Sequence, residues 1–282
     1  MPTFSERHGL KTARAVFQRE SLDDETRMAI WNVVAILPEA IDRYDELLTN
    51  TLTSFWVEFF ARARDERPSY DDSVLGVLKQ TILESEWWRV FDAIEFLVSC
   101  LDHYQTGNNK QIGEFVLDAL NSRFEQFLVG YRIIGGRVTP IDSAVDADAV
   151  VSALADAEPI EGARHHLETA LDLLSDRQNP DYANTIKESI SAVESACKVL
   201  TSNEKATLGD ALKRLSDHGV QIDSALSKAW STMYGWTSNA DGIRHGGIAA
   251  ATADQTLAKY VLVTCSAFVS YLIEEGRKAG VF

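Results

Sequence analysis

The chain has 282 residues, 45% of them hydrophobic and 9% aromatic, which fits a globular protein with a large core and excludes a disordered one. Its formal charge of −15 excludes an extended nucleic-acid surface, because such a surface needs clustered lysine and arginine. No uninterrupted apolar run reaches the ~18 residues of a bilayer span, so no membrane partner is expected. The opening Met1-Pro2-Thr3-Phe4-Ser5-Glu6-Arg7 lacks a basic segment followed by an apolar one, which argues against a secretion signal. Cys100, Cys197 and Cys265 lie far apart within apolar patterns and read as buried reduced thiols of a cytoplasmic protein.

Apolar residues recur mostly at helical spacing. Ser21 is expected to cap a first helix, with Asp23, Asp24 and Glu25 in its first turn and Met28, Ile30, Trp31, Val34 and Leu37 along it. Pro38 is expected to start a long second helix. Ile41, Tyr44, Leu47, Leu48, Leu52, Phe55, Trp56, Phe59 and Phe60 lie on one side of it, and Asp42, Glu46 and Glu58 on the other. Arg62 to Ser69 reads as a polar linker. Helices over Val74–Leu83 and Trp87–Tyr104 follow, then a break at Gly107-Asn108-Asn109 and a helix over Ile112–Phe127. The pattern changes at Tyr131 to Ile141, a β-hairpin candidate with Gly135-Gly136 as its primed turn.

That hairpin is taken as the end of a first domain over residues 1–140. Residues 141–159 read as a linker with a small helix around Val145–Ala155, and 160–282 as a helical bundle. Bundle helices are expected over Glu161–Leu174, Tyr182–Leu200, Leu208–Leu215 and Ser224–Met233. A loop over Tyr234–Gly247 and a final helix around Leu257–Ile273 complete it. The fold class is therefore mostly α: two helical domains with a short hairpin between them. Acidity is uneven: residues 1–159 hold 15 basic and 27 acidic side chains, and residues 160–282 hold 12 and 15. The nearly neutral second half has room for a local phosphate site.

The chemical candidate lies there. Gly242-Ile243-Arg244-His245-Gly246-Gly247 puts a guanidinium, whose planar fork suits phosphate, beside an imidazole that titrates near neutrality. That pair suffices for acid–base work on a phosphodiester. The alternative is that the glycines only turn the chain, with Arg244 paired to a carboxylate such as Asp241 or Glu194 and His245 filling the loop. Glu194 and Lys198, four apart on one helical face, are supporting candidates or an ordinary ion pair. Other features have plainer readings. His165-His166 point about 100° apart on a helix and cannot easily share a metal. His8 reads as a surface cap, and His103 and His218 as cations at helix ends. Trp87-Trp88 and Phe55-Trp56 are read as packing between helices and not as a stacking platform for bases. No cluster at metal-ligand spacing appears, so no metal or cofactor is expected.

Two stretches carry a family resemblance. Phe4-Ser5-Glu6-Arg7-His8-Gly9-Leu10, with Asp23-Asp24-Glu25, Arg27 and Trp31-Asn32, resembles the N-terminal domain of AbiJ-like abortive-infection proteins of bacteria. The second begins with Asn184–Leu200 and continues through Lys205-Ala206-Thr207-Leu208-Gly209. With Tyr234-Gly235-Trp236-Thr237-Ser238 and Gly242-Ile243-Arg244-His245, it is similar to the C-terminal domain of those proteins, which is grouped with the HEPN superfamily. The resemblance implies an anti-phage effector, dimeric, with metal-independent RNA cleavage. It also implies an N-terminal domain that recognises a phage or host protein. The superfamily's motif is an arginine, a polar residue, a few residues and a histidine. His245 and Gly246 match its end. The positions five to seven before His245 are Ala240, Asn239 and Ser238, so Asn239 either holds the polar position or is an ordinary loop residue, while the arginine stands adjacent, as Arg244. Two functions are expected from this. One is an RNA-cleaving or RNA-binding homodimer acting through Arg244 and His245. The other is a non-catalytic interaction module whose bundle only dimerises.

Overall fold

A computed structural model describes residues 4, 8, 16–41, 46–106, 110–176, 179–239 and 253–282, without the side chains of Lys110, Ser238 and Asn239. The protein is mostly helical, as the periodicity predicts, with a single two-stranded hairpin among the described residues. It divides into two compact units, Met1–Val138 and Thr139–Phe282.

In the first unit helix α1 (Asp24–Val34) begins one residue after Asp23. Ser21 is not the cap. The Asp23 carboxylate accepts the Thr26 N–H at 2.9 Å and the Thr26 hydroxyl at 2.8 Å, while Gln18 accepts the Asp23 N–H at 2.7 Å. A carboxylate at this position also complements the positive end of the helix, which a neutral serine cannot do.

The long helix expected from Pro38 to Phe60 is interrupted. Helix α2 is the single turn Leu37–Ala40, and Ile41 leaves it in extended conformation (φ −94°, ψ 130°). The expected face residues Asp42 and Tyr44 lie outside the described residues. The helical path resumes as α3 (Leu47–Ser54) and widens into a π-helical turn over Phe55–Phe59, closed by the Phe60 N–H on the Phe55 carbonyl at 2.8 Å. The widening falls within a run of four aromatic side chains, Phe55, Trp56, Phe59 and Phe60. In the wider turn Phe55 is fully buried, with ring centroids 5.4 Å from Phe59, 6.0 Å from Phe60 and 4.9 Å from Phe96.

Helices α4 (Asp71–Glu84), α5 (Trp87–Tyr104) and α6 (Lys110–Gln126) complete the helical part of this unit. The hairpin follows, β1 (Arg132–Ile134) and β2 (Arg137–Thr139). Gly135 and Gly136 take φ of 56° and 80°, the left-handed pair that a primed turn requires. Two side chains clamp the hairpin. Asn121 of α6 donates to the Ile133 carbonyl at 3.0 Å and accepts its N–H at 2.8 Å, and Glu95 of α5 accepts the Val138 N–H at 2.6 Å. Gln18 runs parallel to Val129 and holds the start of α1 to this edge. Arg27, nearly buried, donates to the carbonyls of Leu22 and Ile82.

In the second unit α7 (Ala144–Asp156), α8 (Glu161–Ser175), α9 (Tyr182–Leu200), α10 (Leu208–Arg214), α11 (Ser224–Asn239) and α12 (Gln255–Lys278) form a bundle around α9. Ile186, Ile190, Val193, Ala196 and Cys197 of α9 are completely buried. Gly162 of α8 lies so near α9 that a Cβ there would stand 2.5 Å from the Ser195 hydroxyl. The small helix assigned to a linker belongs with the bundle. Helix α7 packs along α12, its Val150 and Ala153 are fully buried, and Lys259 bonds Asp142 at 2.8 Å.

The stretch Tyr234–Asn239, read as loop, continues α11. Its Thr237 is buried and donates its hydroxyl to the Tyr234 carbonyl, so the polar side chain costs nothing in the interior. Helix α12 is long and apolar enough to cross a membrane by length and mean hydropathy, 1.5 over its best window. Half of that window is buried in the bundle, where Val261, Leu262, Cys265, Val269 and Leu272 are inaccessible to solvent.

Candidate functional site

The segment carrying the Arg-His pair joins α11 to α12. Its flanks are well anchored. Trp230 of α11 stacks on Phe268 of α12 with centroids 3.9 Å apart and planes at 11°. Asp254 caps α12 by accepting the Leu257 N–H at 2.8 Å. Arg244 and His245 themselves, with Asp241, lie outside the described residues. Asn239 is the last residue of α11.

Glu194 and Lys198 stand one turn apart on α9 and form an ion pair of 2.8 Å. The pair is partly shielded, with the Glu194 and Lys198 side chains 16% and 32% exposed. Burial and then the Glu194 carboxylate push the Cys197 thiol up to about 12. Burial also pushes Cys100 up to about 12, helped by Glu58, and raises Cys265 further. All three cysteines are free and buried, as their apolar settings predict.

The remaining candidates settle into structural roles. The rings of His165 and His166 are 5.8 Å apart, and His166 Nδ1 lies 2.6 Å from Glu188 across the α8–α9 interface. His8 packs its ring on Phe4. His103 lies in the last turn of α5, and His218 ends the 3₁₀ turn Leu215–His218 before Gly219 at φ 82°. Trp87 faces Phe91 and Tyr131 in the core, Phe55 and Trp56 are buried, and the Trp56 indole N–H donates to the Ala63 carbonyl. Only Trp88 of these is half exposed.

A second candidate was not singled out in the sequence. A cleft of about 850 Å³ opens in the first unit between α5, α6, the π-helical turn and the hairpin turn. Phe59 and Phe96 form apolar wall. Asp92, Glu95, Ser99 and Asp102 line it from α5, at spacings of three, four and three residues that put them on one helical face. That spacing is the signal the sequence offered, hidden within a helix whose aromatics dominate its pattern. Burial raises the Glu95 carboxyl above the usual carboxylate range, opposed by the Val138 N–H and the Arg137 charge.

Taken together, these features define a mostly helical, two-unit protein whose N-terminal half is a helical domain closed by a clamped β-hairpin. The family model for AbiJ N-terminal domain 4 matches residues 2–156, and the chain belongs to this family. Membership supports an abortive-infection role directed against phage. No curated protein and no solved structure matches the chain.

Proposed function

We propose that the chain is an abortive-infection effector whose second unit is a HEPN-like bundle that cleaves or binds RNA through Arg244 and His245. The observation that carries this reading is the family match over residues 2–156, joined to a glycine-flanked Arg-His pair in the other half of the chain. His245 takes the proton of a ribose 2′-hydroxyl or delivers one to the departing 5′-oxygen, a transfer worth about 10²–10⁴-fold. Arg244 stabilises the charge on the phosphorane, an electrostatic contribution of roughly 2.7–4 kcal/mol. The chemistry needs no metal. The protein acts in the cytoplasm as a homodimer, in which each subunit's pair completes the acid–base set of the other. Asn239, at the end of α11, and the Glu194–Lys198 pair on α9 support the segment.

The test compares growth arrest on expression of the wild type with that of His245→Ala and Arg244→Ala, each checked for native helicity by circular dichroism. Loss of toxicity in both variants, with cleaved RNA ends present only in wild-type cells, is the expected result. Equal toxicity of all three removes the enzyme.

A second reading is favoured by the acidity of the first half and its cleft. In it the N-terminal unit recognises a phage or host protein and the bundle only dimerises. It predicts that toxicity is indifferent to His245 and Arg244.

A further inference from the structure

Both guanidinium groups in the cleft of the first unit already have carboxylates beside them. Arg89 lies face-on over the Phe59 ring at 3.8 Å, donates to the Phe59 carbonyl at 2.9 Å and stands 3.6 Å from Asp92. Arg137 acts electrostatically on Glu95, whose carboxylate accepts the Val138 N–H. Two more carboxylates complete the lining, Asp102 from α5 and Glu114 from α6, and both are exposed at the mouth. The cleft is therefore net negative, with apolar walls that concentrate its field. Glu95, the most desolvated of its acids, is raised by burial, so its ionised form has most to gain from an incoming cation.

The chain also shows which cation the walls suit. Arg89 is held by an aromatic face, a backbone carbonyl and a carboxylate at once, and two of these kinds of partner, aromatic rings and carboxylates, recur along the cleft. Phe96 lies 5.5 Å from Phe59 and offers a second aromatic surface. Gly135 and Gly136 leave the rim without side chains, so a ligand can approach the hairpin turn closely. Gln105, bonded to Asp102 at 2.8 Å, fixes one mouth carboxylate.

We propose that this cleft binds a guanidinium group carried on a flexible stem, which stacks on the Phe96 ring and is paired by Glu95, Asp102 and Glu114. The site lies wholly in the first unit and does not depend on Arg244 or His245. The guanidinium can come from an arginine side chain of a protein partner or from a free small molecule; the recognition chemistry is the same.

The test is titration calorimetry on the full chain with two probes: acetyl-Gly-Arg-Gly-amide for the protein source and agmatine for the free one. Acetyl-Gly-Gln-Gly-amide and inorganic phosphate serve as controls. Saturable binding of at least one guanidinium probe, weakened by added salt, is expected, with neither control binding. The double variant Asp102→Asn/Glu114→Gln changes only exposed mouth residues and is expected to raise Kd roughly tenfold. Glu95→Gln is expected to weaken binding further. Tighter binding of the peptide identifies a protein partner, and equal or tighter binding of agmatine identifies a small molecule. The proposal is overturned if neither probe binds, if phosphate competes, or if the double variant binds as the wild type does. His245→Ala is expected to bind both probes unchanged, so loss of the RNA reading leaves this result standing.

Discussion

The two units solve the same packing problem in opposite ways. The first fills its core with bulk: Phe55, Phe91, Phe124, Trp87 and Tyr131 interlock around an irregular path of short helices, a π-helical turn and a hairpin. The second fills its core by close approach. Long regular helices meet through Ala163, Ala170, Ala192 and Ala196, with Gly162 and Gly276 where the side chains of Ser195 and Leu200 on α9 come close to a neighbouring backbone. Large rings tolerate chain irregularity because one ring can bridge a gap that several aliphatic side chains would otherwise fill. Small residues demand regularity, because contact then depends on the backbones themselves. The first unit is also where a cleft forms, since an aromatic core built around a kinked chain leaves a wall exposed beside it.

The largest effect that tests this contrast is Phe55→Ala. Truncating a fully buried aromatic at the centre of the ring cluster is expected to cost about 3–5 kcal/mol. In chemical denaturation the loss should fall on the first unit alone, leaving a second transition at the wild-type midpoint. A shift of both transitions by equal amounts would show that the units do not unfold separately.

Next in size is Gly276→Ala on α12. A Cβ there would stand 2.5 Å from Leu200 Cδ2 and 2.8 Å from the Phe282 ring, so a loss of about 1–3 kcal/mol is expected by thermal melting. Gly76→Ala on α4 has the opposite sign. Nothing lies within 4 Å of its Cβ, and removing glycine from a helix interior is expected to gain roughly 0.5–1 kcal/mol. Equal effects at the two positions would contradict the close-approach account of the second unit.

The smallest effect concerns Glu95. Its native carboxyl is raised by burial, so the folded chain holds this proton more tightly than the unfolded one. Stability from this group is greatest below the ordinary carboxylate range and is lost as pH rises through the raised native value. Glu95→Gln keeps an oxygen for the Val138 N–H and removes the charge. Relative to wild type it is expected to gain stability as pH rises from 4 to 7, by under about 1 kcal/mol for a half-buried group. A pH-independent difference between the two would show that the Val138 bond and Arg137 balance desolvation.

The sequence by itself determined the helical class, the hairpin with its Gly135-Gly136 turn, and most helix ends, because apolar period and turn glycines act within a few residues. It also presented Arg244 and His245 together, since adjacency in the chain needs no fold. Only the tertiary structure decided that α3 widens at Phe55, where the ring packs against Phe96. Only it carried α11 on through Asn239, where the Trp230–Phe268 stack and the buried Thr237 hold a stretch that glycine and polar residues mark as loop. It alone assigned α7, which lies inside the family match, to the bundle of α12, and assembled the cleft acids from α5 and α6. The physical reason is common to all four: each depends on contacts between residues far apart in the chain, and local spacing carries no record of them.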